Sequence, residues 1–172
     1  MSTETDINPR LVGLLRQESP VLSDADIAQL LPFGEVRQAR AGEVLFANGE
    51  SHYPLIVILS GKVGVYARDD GSTALIRSSG RGEFHGELSV LTGQDSVLDC
   101  IVDEDGDVLV LPASAVHEIV ETFPLISDIL IHTLALRREI LMYKASASLT
   151  LIGPEGSADI NRLEEFCARN RI

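Results

Sequence analysis

The 172-residue chain is poor in most of the residues that advertise a chemical function. Its two cysteines, Cys100 and Cys167, lie far apart. That excludes a CxxC redox pair and the cysteine spacing of a zinc site, and two isolated thiols suit packed, reduced positions in a cytoplasmic protein. The histidines, His52, His85, His117 and His132, show no i, i+4 pairing, so no helical metal pair is encoded. No apolar run approaches the roughly 20 residues of a membrane span. The first residues, MSTETDINPR, lack the apolar stretch of a secretory signal. Basic residues are scarce: 14 Lys and Arg against 26 Asp and Glu leave a formal net charge of −12. Nucleic-acid binding runs on neutralisation of phosphates by Lys and Arg, so the balance argues against that partner and against an anionic membrane surface. No GxSxG, GxGxxG or P-loop pattern occurs, so a nucleophile elbow and dinucleotide or ATP binding are not encoded.

What is present divides into three stretches: residues 1–23, a leader and first helix; 24–144, the main domain; and 145–172, a short βα segment. Residues 10–18 and 24–31 read as amphipathic helices, the second N-capped by Ser23 or Asp24 and stopped by Pro32. From 33 to 111 the chain becomes a series of short β-forming runs: FGEVRQA, EVLFANGE, YPLIVILSGKVGVYA, TALIRSS, VLDCIV and DVLVL. Turn signals recur about every eight to twelve residues, the pattern of an antiparallel sandwich or barrel. Three hairpins are expected, at Ser60-Gly61, at Asp69-Asp70-Gly71 and at the acidic tip Asp103–Asp107. After Leu111 the hydrophobic period becomes helical, over PASAVHEIVETF and then PLISDILIHTLALRREILMYK. On the longer helix Ile126, Ile129, Leu130, Leu134 and Ile140 are expected to pack on the sheets. Leu125, Thr133, Leu136 and Leu141 are expected to stay partly outside, for a second copy. SLTLIG then reads as a strand, and PEGSADINRLEEFCARN as a helix.

The order of elements is that of a mainly β protein with flanking helices: an antiparallel β-roll, a jelly-roll-like barrel. Three motifs agree. Ala41–Phe46 with Gly49, Ile58–Val63 (ILSGKV), and Phe84–Leu91 (FHGELSVL) resemble, in order and spacing, the early strand pair, the turn and the phosphate-binding cassette of cyclic-nucleotide-binding domains of the cyclic-AMP receptor type. The resemblance covers about residues 24–144. It implies that Gly86 and the amides of Leu88 and Ser89 face a cyclic phosphate, and that Glu87 takes the ribose hydroxyl. Glu87 has a plainer reading too, as an acceptor of backbone N–H groups at the helix start. His85 is expected to be a partly exposed loop residue.

The family's cassette arginine falls here at Ser96 or Val97, neither basic. No Lys or Arg occurs from Gly82 to Leu136, and Asp95 and Asp99 lie close by instead. A charge-assisted contact contributes about 1.5–3 kcal/mol, so its loss weakens binding roughly ten- to a hundredfold. The expectation is a degenerate pocket that takes a cyclic nucleotide weakly or serves another small ligand. The rivals are a working cyclic-AMP or cyclic-GMP sensor using Arg77 or Arg81, and an interaction domain with a vestigial pocket.

The tail begins with a strand and carries too little basic charge for the groove docking of a helix-turn-helix. Its "LIG" strand end and RLEEFCARN, with the cassette form GELSVLTGQ, resemble bacterial fusions of such a domain with a thioredoxin-reductase-type flavoenzyme. The resemblance implies a chain cut short of its reductase, non-catalytic by itself, with FAD and NADPH bound only by a downstream domain in cis. A homodimer through the long helix is expected, as in the related regulators.

Overall fold

The computed structural model describes residues 20–69 and 72–146, and Arg162. It divides into two compact units, residues 19–134 and residues 1–18 with 135–172. The expected first helix at 10–18, and the tail strand and helix apart from Arg162, lie outside the described residues.

Helix α1 (Asp24–Leu30) starts where its sequence caps it: Ser23 accepts from the Asp26 amide while the Asp26 carboxylate takes the Ser23 amide at 2.8 Å. A single 3-10 turn, Leu31–Phe33, carries Pro32 and ends the helix. Eight strands follow: β1 (Glu35–Ala39), β2 (Val44–Phe46), β3 (Leu55–Ile58), β4 (Lys62–Asp69), β5 (Ser72–Ser79), β6 (Phe84–His85), β7 (Asp99–Glu104) and β8 (Gly106–Leu111). Between β6 and β7 lies the short helix α2 (Glu87–Thr92); α3 (Ala113–Thr122) and α4 (Pro124–Ser146) come last.

The strands form two antiparallel four-stranded sheets, in the orders β1-β8-β3-β6 and β2-β7-β4-β5. The expected β-roll is therefore realised as two sheets sharing an interior. Strand β3 shows why. All four of its residues are buried, and alternate side chains point to opposite faces. Ile56 and Ile58 turn inward, Ile56 packing with Ala39, Val102 and Val108, and Ile58 with Phe46, Tyr53, Val63 and Cys100. Leu55 and Val57 turn outward, into a larger cluster with Leu30, Phe84, Val116, Ile119, Ile126 and Leu130 from the helices and β6. Cys100 is buried in the second of the inner clusters, in the packed position expected of it.

Two of the three expected hairpins are not hairpins. β3 and β4 belong to different sheets, as do β7 and β8, so Ser60-Gly61 and Glu104–Gly106 are crossings from one sheet to the other. The crossings press together. A Cβ on Gly61, whose φ is +77°, would meet the Asp105 carbonyl oxygen at 2.6 Å, and one on Gly106 would run into the Ser60 carbonyl. The third hairpin is borne out by pairing: β4 and β5 run antiparallel with Asp69 opposite Ser72.

The face expected of α4 also needs correcting. Thr133 and Leu136 are buried rather than partly outside, whereas Leu125 and Ile131 are exposed. Thr133 follows Ile126 by seven residues and Leu130 by three, so the helical period carries it to their side. The side chains of Ile140 and Leu141 lie outside the described residues.

Candidate functional site

The cassette begins where β6 hands over to α2. Gly86 makes the turn with φ +104°, a left-handed conformation that side chains disfavour, and it lies so close to β3 that a Cβ would strike the Pro54 carbonyl oxygen. Glycine is thus required twice over, for the torsion and for the approach. The turn buries the next residues: Glu87 and Ser89 are both buried, while Leu88 is half-buried. Gly93, φ +71°, closes the helix by donating its amide to the Ser89 carbonyl at 2.8 Å.

Past α2 the chain is tied to the loop that joins β2 to β3. Gly49 donates to the Ser96 carbonyl at 2.7 Å, and the Ser96 amide to the Glu50 carbonyl at 2.9 Å. Ser51 donates to Asp95 at 2.6 Å, and the Asn48 amide to Asp99 at 2.8 Å. The two acidic residues expected to repel an anion are therefore both engaged. Asp99, on the sheet face opposite Cys100, is buried beneath the Arg68 guanidinium, with which it pairs.

Ser96 and Val97 were open alternatives for the position of the missing arginine. Ser96 is the buried one, and its hydroxyl donates to the Leu98 carbonyl at 2.6 Å; Val97 is exposed. Neither candidate substitute is free to serve. Arg77 pairs with Glu83, whose other oxygen takes the Gly80 amide at 2.7 Å. Arg81 reaches Asp24 at 2.8 Å and the Leu59 carbonyl at 2.6 Å. His85 is not an exposed loop residue: it lies in β6 opposite Ile56 and is buried. The pairing of β6 with the interior strand β3 takes it there.

One residue at this site went unnoticed in the sequence. Tyr53, at the end of the β2–β3 loop, is buried and stacks on Phe46 with ring centroids 4.2 Å apart. Its hydroxyl lies near the Ser96 side chain, the Ser89 backbone and the Glu87 carboxylate. Burial pushes the phenol up to about 12; the Ser96 hydroxyl opposes that, and the nearby Glu87 charge adds to it. Nothing in the local sequence SHYPLIV marks this tyrosine, because its partners lie 36 and 43 residues further along. Of the expected site residues, Gly86, Glu87, Ser89 and Ser96 are brought together, Leu88 lies at their edge, and Val97 points away.

Two sheets around a shared interior, with a glycine-hinged helix between β6 and β7, define a mainly β domain of the jelly-roll type. The chain belongs to the cyclic nucleotide-binding domain family, whose model matches residues 36–123, just over half its length. A patatin-like phospholipase domain-containing protein 7 of Rattus norvegicus is 30% identical over 98 residues, 56% of this chain but 7% of that protein. The chain thus spans a small part of the curated relatives it matches. Among solved structures, a transcriptional regulator from Thermotoga maritima superposes with a TM-score of 0.61 at 15% identity, covering 70% of this chain and 95% of the other. The Thermus thermophilus catabolite activator protein superposes with a TM-score of 0.58 at 21% identity, covering 92% and 66%. These similarities establish the fold. Among the described residues no helix is long and apolar enough to cross a membrane.

Proposed function

We propose that this chain is a regulatory ligand-binding module whose cassette has lost its cation and takes cyclic nucleotides weakly. The observation that carries the reading is Ser96: the residue at the arginine's position is neutral, buried and already bonded to the Leu98 carbonyl. A cyclic phosphate would meet backbone amides but no guanidinium fork, while Glu87 stands by for a ribose hydroxyl. The sensor rival is disfavoured because Arg77 and Arg81 are held by Glu83 and Asp24. Calorimetry with cyclic AMP and cyclic GMP tests the reading. A dissociation constant in the high micromolar range or weaker is expected, on the order of −5 kcal/mol; a sub-micromolar value would refute the degenerate cassette and restore the sensor.

The module serves as the sensory or docking part of a larger cytoplasmic protein, and is not itself catalytic. The tail residues Arg162, Leu163, Glu165, Phe166, Arg169 and Asn170 support a thioredoxin-reductase-type flavoprotein as the rest of it, with FAD and NADPH held there. The reading frame beyond Ile172 decides: a GxGxxG and a CxxC are expected, and a patatin-type lipase domain instead would overturn the assignment. Self-association is the remaining element. Leu125, 77% exposed, and Ile131, 50% exposed, on α4 support a homodimer.

A further inference from the structure

The cassette helix α2 has 6 residues, about half of the roughly 12 below which a helix is marginal in water. It therefore depends on what it is bonded to. Gly93 ends it with a left-handed turn and places its amide on the Ser89 carbonyl. The Gln94 amide would close on the Val90 carbonyl if the helix continued; it turns instead to the Thr92 hydroxyl, at 3.4 Å. The carbonyl that this stop opens is met from another helix. His117 of α3 reaches the Val90 oxygen with Nε2 at 3.0 Å. A carbonyl can only accept, so the ring carries a proton on Nε2, which fixes the tautomer of the neutral imidazole. Val90 is held on its other side too: its buried side chain shares the larger cluster with Val116 and Ile119 of α3. Apolar packing lets a short helix slide or roll, whereas a hydrogen bond sets its register. His117 is itself exposed, so filling the core is not its role.

We propose that His117 is the positioning residue of the cassette: it touches no ligand, but its bond to Val90 ties α2 to α3 and keeps Gly86 and the amides of Leu88 and Ser89 aimed at the anion. This rests on the reading of those three residues as the anion's receptors, and deepens it. With Ser96 in the arginine's place, backbone amides carry the reception of a cyclic phosphate, so their aim weighs directly on affinity. The link is a population. An amide of α2 serves the anion only while α2 is formed and docked, and the apparent affinity scales with the fraction of molecules in that state. One hydrogen bond shifts such an equilibrium roughly two- to tenfold.

The full 172-residue chain is compared with His117→Ala and with His117→Gln, whose side-chain amide offers an N–H over a similar reach. Hydrogen exchange on the ligand-free proteins is the first readout. The amides of Val90 and Gly93, bonded to the Gly86 and Ser89 carbonyls, report whether α2 is formed. His117→Ala is expected to speed their exchange about threefold or more, while amides paired between β4 and β5 keep their rates. His117→Gln is expected to restore the rates of the unaltered chain. Calorimetry with cyclic AMP is the second readout: His117→Ala is expected to bind about threefold more weakly or worse, and His117→Gln as the unaltered chain does. Unchanged exchange at α2 in His117→Ala would overturn the tether. Faster exchange with unchanged affinity would overturn the positioning role, as would a His117→Gln no better than His117→Ala. An unaltered chain with no detectable affinity would refute the proposed function instead, and the exchange comparison would still decide the tether.

Discussion

Replacing Gly86 by alanine probes the hinge on which the cassette depends. Two costs add. Alanine at φ +104° is held in the left-handed region, which costs about 1–2 kcal/mol. The new methyl also lies inside contact distance of the Pro54 carbonyl oxygen and 3.0 Å from the Leu55 Cα, both backbone groups of the start of β3 that cannot rotate away. Relieving such an overlap in a packed region costs about 1–3 kcal/mol more. The expected loss is therefore about 3 kcal/mol, or roughly 6–12 °C in Tm for a domain of this size. Gly93→Ala is the control, at the other end of the same helix. It too has a positive φ, +71°, but nothing lies within 4 Å of the new methyl, so only the torsional cost of about 1–2 kcal/mol remains. Urea unfolding of the three proteins measures both, with the midpoint read at constant m. Equal losses for Gly86→Ala and Gly93→Ala, within about 0.5 kcal/mol, would refute the claim that the cassette turn is braced against β3.

Alkaline unfolding should report Tyr53. Its pKa in the folded state, about 12, lies above the ordinary 10.0, so the unfolded chain loses the proton first: stability is fully present below pH 10 and falls between pH 10 and 12, by on the order of 2–3 kcal/mol. Tyr53→Phe should flatten much of that fall in a pH series of urea midpoints, leaving the smaller contributions of Lys62 and Tyr66, whose pKa values are also raised by their carboxylate partners Glu104 and Asp103. An unchanged slope would mean that the phenol is not held as described. Light scattering at tens of micromolar should return the mass of a dimer, and Ile131→Glu should lower it; a monomeric mass for the unaltered chain would remove the homodimer.

Much of this protein is determined locally and is visible in its sequence. The start of α1 is written in Ser23 and Asp26, three residues apart, because a capping box is closed by groups that near one another. The β-runs and their glycines specify an antiparallel roll, and the order of the motifs specifies the family. The missing cation is likewise a property of composition: no fold can supply an arginine between Gly82 and Leu136. What the tertiary structure alone decided concerns partners distant in sequence. Alternation along a strand tells which side chains share a face, but not which sheet the strand joins, so the links at Ser60-Gly61 and Asp105 read as hairpins although they cross between sheets. The helical period of α4 could be read, but which stripe the core would take depended on Thr133 lying in line with Ile126 and Leu130. Tyr53 carries no local mark at all. Its environment exists only once the β2–β3 loop has docked on the segment after α2, bringing a phenol, two serines and a glutamate from three separate stretches of chain close together.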